Sequence, residues 1–189
     1  VMSSALRRGV ALSVLLVLGL GFPTWASTIV VRPGQDLAAA IRAAAPGDVV
    51  EIARGFYRAN LLIDKPLTLR GIGRPTVSGG NQGDTIRVMA TDVVIEDVIV
   101  RDSGDSLKDQ NAGIYLHPGA HRAVVRRCDL TYNLFGLWIE KANEVRIEGN
   151  TITGKREYGS SQRGNGVQLY NTTGARIFNN NIGFVRDAL

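Results

Sequence analysis

The sequence predicts an all-β protein, a right-handed, single-stranded parallel β-helix with a capping helix at its N-terminal end. Two observations indicate this fold. A segment of the form Gly-apolar-X-apolar occurs at 113–116, 136–139 and 166–169, and spacings of about 23 and 30 residues are typical of units that stack as coils. Each copy precedes a second short run of alternating apolar residues, the pattern of a strand with one buried face.

Residues 1–26 are predicted to be a secretory signal peptide. Arg7-Arg8 precedes an apolar run over 10–22, and small residues follow up to Ala26, where a signal peptidase would cleave. An uncleaved membrane anchor is the alternative, although the apolar run is shorter than the ~20 residues that a bilayer span needs. We therefore expect a mature chain that begins near Ser27, lies outside the cytoplasm and has no membrane span after cleavage.

Residues 27–46 are predicted to form an N-terminal strand and the capping helix. Asp36 is a candidate N-cap, and Pro46-Gly47 would stop the helix. A helix with one apolar face at the head of a repeat array is expected to cover the open end of the first coil. The residues on that face are Leu37, Ala40, Ile41 and Ala44.

Residues 47–189 are predicted to be the β-helix repeats, with early strands at 49–52, 61–63, 67–69, 85–88 and 93–96. A leucine-rich repeat is disfavoured because the sequence lacks the leucine spacing of that family. A propeller is disfavoured because each repeat unit is too short to hold four antiparallel strands. The next copy of the repeat stops at 188–189, so we expect the array to be incomplete. Four apolar columns should point inward: Ile86, Ile114, Leu137 and Val167; Val88, Leu116, Ile139 and Leu169; Ile95, Val125, Ile147 and Ile177; Val100, Leu130, Ile152 and Ile182.

Composition excludes some functions. The net charge of +5 is modest, and basic residues are scattered among acidic ones, so a nucleic-acid groove is not expected. The single cysteine, Cys128, cannot form an internal disulfide. It shares its repeat offset with Val98, Asn150 and Asn180, which predicts a buried thiol next to a ladder of asparagines.

Two rungs carry insertions, at 103–111 and 154–165. Both occur at the same corner of the coil, two rungs apart, and should project together from one edge. Loops gathered on one side of a solenoid often form its binding face. The alternative is that each loop is a tolerated surface insertion.

Several motifs resemble known families. The segment 47–71, which ends in Leu67-Thr68-Leu69-Arg70-Gly71, is similar to the opening coils of pectate-lyase-like β-helices. A longer series resembles the NosD family of accessory proteins for maturation of nitrous oxide reductase, and it covers essentially the whole mature chain. In chain order, its motifs are Ser106-Leu107, 112–116, 133–138, 163–167 and Arg186-Asp187.

The resemblance implies a periplasmic, non-enzymatic maturation factor. It would act with a membrane ABC transporter in assembling the copper–sulfur cluster of nitrous oxide reductase, so these two proteins are the implied partners and copper is the implied transient ligand. Family members carry many more rungs, which supports the expectation that this chain is a C-terminally truncated fragment.

If copper is the ligand, side chains with soft donor atoms are the first candidates to bind it. Met89 and His117 share an offset on neighbouring rungs, so they should be adjacent in an outward column that Glu140 and Tyr170 continue. Thioether and imidazole are neutral ligands that suit Cu(I) and its reversible transfer. His121, on the following turn, is the candidate third donor. The alternative is that Met89 and His117 are unconnected surface side chains.

The adjacent outward column is predicted to be a protein-docking face. Exposed aromatic side chains on a flat sheet suit a partner protein or sugar rings, although such columns could simply cover the sheet. The two insertions, with Arg156 and Arg163, would flank this face. The members of the column are Arg87, Tyr115, Trp138 and Gln168.

An enzymatic alternative is a carbohydrate-binding or polysaccharide-cleaving β-helix, a lyase or hydrolase. Asp102, Asp105 and Asp109 could hold Ca²⁺, and Arg156 or Arg163 could face a uronate, yet no carboxylate pair is uniquely placed for glycoside hydrolysis. A third alternative is a structural or adhesive β-helix, which would need neither copper nor a transporter.

One further outward column alternates in charge. It contains Glu96, Arg126 and Glu148 and ends at Phe178. Opposite charges on neighbouring strands stabilise each other, so this column is predicted to be a set of salt bridges rather than a catalytic cluster.

Overall fold

Three parallel sheets form the sides of the coil in the computed structural model, which describes residues 26–189. Sheet A contains, in spatial order, β1 (Thr28–Val31), β2 (Val49–Ile52), β5 (Thr68–Gly71), β8 (Val94–Glu96), β11 (Val124–Arg126), β14 (Arg146–Glu148) and β17 (Arg176–Phe178). Sheet B contains β3 (Phe56–Arg58), β6 (Thr76–Ser78), β9 (Ile99–Arg101), β12 (Asp129–Asn133), β15 (Thr151–Gly154) and β18 (Asn181–Gly183). Sheet C contains β4 (Leu61–Ile63), β7 (Ile86–Val88), β10 (Ala112–Leu116), β13 (Phe135–Glu140) and β16 (Val167–Tyr170).

The strand order confirms the predicted right-handed parallel β-helix. The chain visits the three sheets in turn, and each strand pairs in parallel with its counterpart in the next coil. All four predicted apolar columns are in register across these pairs. Their side chains are buried through most of the stack, whereas Leu169, Ile177 and Ile182 in the last coil are partly or fully exposed.

The capping helix is present as α1 (Leu37–Ala43). The Asp36 carboxylate accepts a hydrogen bond from the Ala39 amide at 2.9 Å, as expected of an N-cap. Leu37 and Ile41 are buried against the first coil. At the other end of the helix, Lys65 donates hydrogen bonds to two carbonyl groups, which supports the C-terminus of the helix dipole.

The repeated glycine marks a place where the backbone passes close to the core. A Cβ atom on Gly136 would lie 2.3 Å from Cγ2 of Ile152 and 2.4 Å from the carbonyl oxygen of Gly166. A Cβ atom on Gly166 would lie 2.4 Å from Cγ2 of Ile182. The glycine in each copy of the repeat is therefore required by packing between neighbouring coils.

Strands β3 and β6 were missing from the prediction. Each has three residues, and the alternation of apolar and polar side chains is too short to recognise. The predicted signal peptide lies outside the described residues, apart from its last position. Within 26–189, no helix has the length and apolar character needed to cross a membrane.

Candidate functional site

The outer face of sheet C carries two rows of side chains, which together we call the sheet C face. The first row follows the strand register and comprises Leu62, Arg87, Tyr115, Trp138 and Gln168. The second row lies two residues further along each strand and comprises Met89, His117, Glu140 and Tyr170. Both outward columns predicted from the repeat alignment are therefore present in the predicted order.

Tyr115 does not have the exposure that was predicted. Its side chain is buried, with 7% of its surface accessible, because longer side chains on neighbouring strands enclose it. The Arg87 guanidinium lies 5.3 Å from the centre of its ring, and its hydroxyl donates a hydrogen bond to the Glu140 carboxylate. Burial, and then the bond to Glu140, raise the pKa of Tyr115 above its ordinary value. Tyr115 therefore supports the face rather than offering its ring to a partner.

Trp138 is half-buried and held in place from one side. Its ring meets that of Phe135 edge-on, with centroids 5.0 Å apart and planes at 85°. Phe135 belongs to a small apolar cluster with Ala112, Leu134 and Tyr115, next to the main core. Gln168 is occupied locally, since its amide accepts from Asn165 at 2.8 Å and donates to the Leu169 carbonyl at 3.1 Å.

The two insertions contact each other, as predicted. Lys155 of the second insertion donates a 3.0 Å hydrogen bond to the Ser103 carbonyl and forms an ion pair with Asp105, both in the first. Only 2% of the Lys155 side chain is exposed. Its ammonium also lies 5.3 Å and 5.8 Å from the ring centres of Tyr132 and Tyr158. We call this group the loop clasp.

Arg156 and Arg163 are engaged within their own part of the chain. The Arg156 guanidinium lies 4.0 Å from the centre of the Phe184 ring. Arg163 donates from Nη2 to the Arg156 carbonyl at 2.8 Å, and its buried Nε has no hydrogen-bond partner among residues 26–189. Arg156 therefore connects the second insertion to the last coil, and Arg163 binds the backbone within the insertion.

Met89 and His117 follow paired residues on neighbouring strands, and Met89 is 45% exposed. Their thioether and imidazole donors have the chemistry that Cu(I) accepts. His121 is less free, because its Nδ1 accepts a 3.0 Å hydrogen bond from the Asn143 amide and only Nε2 remains for a ligand. Within residues 26–189, no group of three or more His, Cys, Asp or Glu side chains is arranged to hold a metal.

The three aspartates considered for Ca²⁺ do not converge. Asp102 accepts hydrogen bonds from Ser78 at 2.6 Å and from Arg101 at 3.0 Å. Asp105 belongs to the loop clasp, and Asp109 accepts from the Ser106 hydroxyl at 2.7 Å. Within residues 26–189 these aspartates do not form a group of three carboxylates arranged for a metal, and each accepts hydrogen bonds from protein donors.

The alternating column on sheet A forms the predicted salt bridge between Glu96 and Arg126, whereas Glu148 pairs with Arg146 on its own strand and not with Arg126. Buried Glu96 accepts hydrogen bonds from Arg70 and Arg126 at 2.7 Å each and from Arg127 at 2.9 Å. Burial alone would raise the pKa of Glu96. Hydrogen bonds from Arg70 and Arg126, together with the charge of Arg126, outweigh it and lower the pKa to about 2. This column stabilises the stack.

Cys128 lies in the core, as predicted, with 2% of its surface accessible. Burial raises the pKa of its thiol to about 12, so it remains protonated at neutral pH and is a poor copper ligand. Asn150 and Asn180 form the predicted ladder, in which Asn150 donates to the Asn180 amide oxygen at 2.9 Å. The Asn150 amide oxygen accepts from the Cys128 backbone at 2.9 Å, which continues the ladder to the next coil.

A cavity of about 460 Å³ opens on the sheet C face at strands β13 and β16. It is lined by Trp138 and Glu140 of β13, Tyr170 of β16 and Gln110 of the first insertion. The strand residues belong to the predicted outward columns. The part played by Gln110 could not be predicted, because an insertion has no repeat offset.

Comparison with known proteins gives the following similarities. A family model described as a right-handed β-helix region matches residues 71–184. The chain is 31% identical over 136 residues to the "Probable ABC transporter binding protein NosD" of Pseudomonas aeruginosa, covering 72% of this chain and 32% of that protein. It is 28% identical over 133 residues to the protein of the same name from Stutzerimonas stutzeri, covering 70% and 30%. The chain thus spans about a third of the length of these curated relatives.

Among solved structures, an alginate lyase from Paenibacillus superposes with a TM-score of 0.55. The two chains are 17% identical, and the match covers 82% of this chain and 66% of the lyase. At this identity the similarity concerns the fold alone.

Proposed function

The chain belongs to the right-handed β-helix family, and from that premise we propose that it is part of a non-enzymatic accessory protein that docks on partner proteins. The docking surface is the sheet C face together with the two insertions beside it. Similarity to the NosD proteins over 136 residues supports this role. The name of those relatives includes binding to an ABC transporter, and a membrane ABC transporter is accordingly the first partner we propose.

The second proposed partner is nitrous oxide reductase, whose copper–sulfur cluster the accessory protein would help to assemble in the periplasm. This step depends on the motif resemblance in 106–187, and it extends the general NosD-like role to a specific pathway. In this proposal copper is cargo that is bound briefly and passed on, rather than a resident cofactor.

The observation that carries the docking proposal is the loop clasp. Insertions that begin about 50 residues apart are joined by Lys155 through the Ser103 carbonyl and the Asp105 carboxylate. Binding surfaces gain affinity when loops are ordered beforehand, since less conformational entropy is lost on association. A buried lysine that holds two loops together at one corner of the coil suits recognition of a protein surface.

Copper handling is proposed for Met89 and His117, with His121 as a third donor through Nε2. A two-ligand site on the outside of a sheet suits transfer, because neutral donors release Cu(I) more readily than thiolates do. The test is competition for Cu(I) with a chromogenic chelator, using Met89→Leu combined with His117→Ala. We expect a weaker affinity for the double variant. An affinity equal to that of the wild type would refute this site, and Phe178→Leu, at an exposed position on sheet A, is the control.

The maturation role can be tested by complementation. A denitrifying strain that lacks its own NosD would receive the full-length gene that encodes this chain, and nitrous oxide reductase activity and its copper content would be measured. We expect both to be restored. Failure to restore activity, together with cleavage of polyuronates by the purified protein, would overturn the proposal in favour of the lyase alternative. Trp138→Ala should reduce complementation, whereas Phe178→Ala on sheet A is the matched aromatic control.

A further inference from the structure

The cavity lined by Gln110, Trp138, Glu140 and Tyr170 combines two aromatic rings with one carboxylate. We call it the aromatic–acidic pocket. Its strand residues share one outer face, because Glu140 pairs directly with Tyr170 and Trp138 lies two residues before Glu140. Tyr170 lies one strand spacing from Glu140, near 4.8 Å, and Trp138 lies two residues from Glu140 on the same strand, about 7 Å away. A flat cation together with the side chain that carries it can span these distances.

We propose that the aromatic–acidic pocket binds the guanidinium group of an arginine side chain from a partner protein. This inference rests on the proposed docking function and deepens it by naming the chemistry that the partner presents. Arginine fits better than lysine, because its flat guanidinium stacks on aromatic rings while it donates a charge-assisted hydrogen bond to a carboxylate.

The Glu140 carboxylate has an oxygen available for this ligand. Its Oε2 accepts the hydrogen bond from Tyr115, which fixes the position of the carboxylate. Its Oε1 has Lys141 Nζ at 4.0 Å, too far for a hydrogen bond. Glu140 is 22% exposed, whereas Lys141 is 56% exposed. The Glu140 carboxylate is thus partly removed from water, where its attraction for a cation is stronger than at the open surface.

The aromatic walls are prepared in different ways. Trp138 is held by its edge-on contact with Phe135, so little side-chain entropy remains to be lost on binding. Tyr170 is 49% exposed, so part of its ring is accessible to a ligand. Gln110 adds a side-chain amide from the first insertion, which the loop clasp connects to the second.

The test compares two probes of similar shape and different charge, N-acetyl-arginine amide and N-acetyl-citrulline amide. The full-length protein is labelled with 5-fluorotryptophan, the signal of Trp138 is assigned with Trp138→Phe, and each probe is titrated while the fluorine spectrum is recorded. We expect the arginine probe to shift the Trp138 signal at concentrations about 10-fold lower than the citrulline probe, since a charge-assisted bond is lost in citrulline.

Variants complete the test. Glu140→Gln keeps the shape of the side chain and an acceptor for Tyr115, and it should weaken binding of the arginine probe about 10-fold. Tyr170→Leu should also weaken it, whereas Phe178→Leu, an exposed aromatic on sheet A, should not. Equal binding of the two probes, or unchanged binding in Glu140→Gln, would overturn the assignment. If the arginine probe does not bind but complementation succeeds, the pocket assignment is refuted and the docking function is retained. If complementation fails but the arginine probe binds, only the maturation role is refuted.

Discussion

Lys155 donates a 3.0 Å hydrogen bond to the backbone carbonyl of Ser103, which lies 52 residues earlier in the chain. The ammonium that makes this bond also pairs with Asp105 and has almost no contact with solvent. The two insertions that the repeat alignment put at one corner are therefore coupled by a single side chain. Movement of one insertion requires breaking or moving a buried charge.

Lys155→Met should uncouple the two insertions and leave the coils intact. Methionine fills a similar volume but leaves the Ser103 carbonyl without its donor and Asp105 without its partner. Because Asp105 is 46% exposed, water compensates in part, and we expect the free energy of unfolding to fall by only about 1–2 kcal/mol. Hydrogen exchange measured by mass spectrometry should speed up in 103–111 and 155–165 and remain unchanged in β8 and β11.

Lys108→Met is the matched control, because Lys108 is an exposed lysine in the first insertion. It should alter neither stability nor exchange. If Lys155→Met leaves exchange in both insertions at wild-type rates, the loop clasp does not order them, and the docking surface needs another explanation.

Glu96 should make stability depend on acid. Its pKa in the folded state is about 2, below the ordinary value of 4.5, so the folded state favours the ionised form. The stabilisation is therefore complete above about pH 4.5 and is lost as pH falls toward 2. Its size is on the order of 3 kcal/mol. Glu96→Gln should lower the free energy of unfolding at pH 7, and the difference from wild type should shrink between pH 4.5 and 2.

The measurement is urea unfolding at a series of pH values, with Glu144→Gln as the control at an exposed position that precedes β14. If the difference in free energy of unfolding between wild type and Glu96→Gln stays constant across the acid range, the charge of Glu96 does not contribute to stability through its arginine partners.

The parts of the fold that repeat could be predicted from the sequence. Ile114, Leu137 and Val167 point inward at equal offsets, since a strand alternates every two residues and each coil must pair with the next. The same rule correctly assigned Cys128 and Asn150 to one buried column.

The parts that depend on contacts between distant segments could not be predicted. Alternation puts Tyr115 on the outer face, but its burial is decided by Arg87 and Glu140 on the adjacent strands. The loop clasp joins insertions that have no periodicity, so nothing in the sequence pairs Lys155 with Ser103. These are the features on which the docking proposal and the pocket depend.

Cys128→Asn should extend the asparagine ladder and stabilise the protein. The Cys128 sulfur lies 3.6 Å from the Ile95 carbonyl oxygen. In the next coil, Asn150 occupies the equivalent position and donates a 3.0 Å hydrogen bond to the Val125 carbonyl. An amide would replace a weak thiol contact with a full hydrogen bond worth about 1 kcal/mol. Thermal and urea unfolding should show this gain, with Cys128→Ala, which only leaves a small gap, as the destabilised comparison. A loss of stability in Cys128→Asn would mean that this column has no room for an amide.

Gly136→Ala should destabilise the β-helix strongly. The added methyl group would lie 2.3 Å from Cγ2 of Ile152 and 2.4 Å from the Gly166 carbonyl oxygen, and the backbone contact cannot be relieved by a side-chain rotation. We expect the free energy of unfolding to fall by about 3 kcal/mol. Gly183→Ala is the matched control, because no atom of residues 26–189 outside its chain neighbours lies within 4 Å of its added Cβ, and it should change stability by less than about 1 kcal/mol. Urea unfolding of both variants measures the contrast. If the two variants lose the same free energy of unfolding, the close approach of neighbouring coils is not the reason for the recurring glycine.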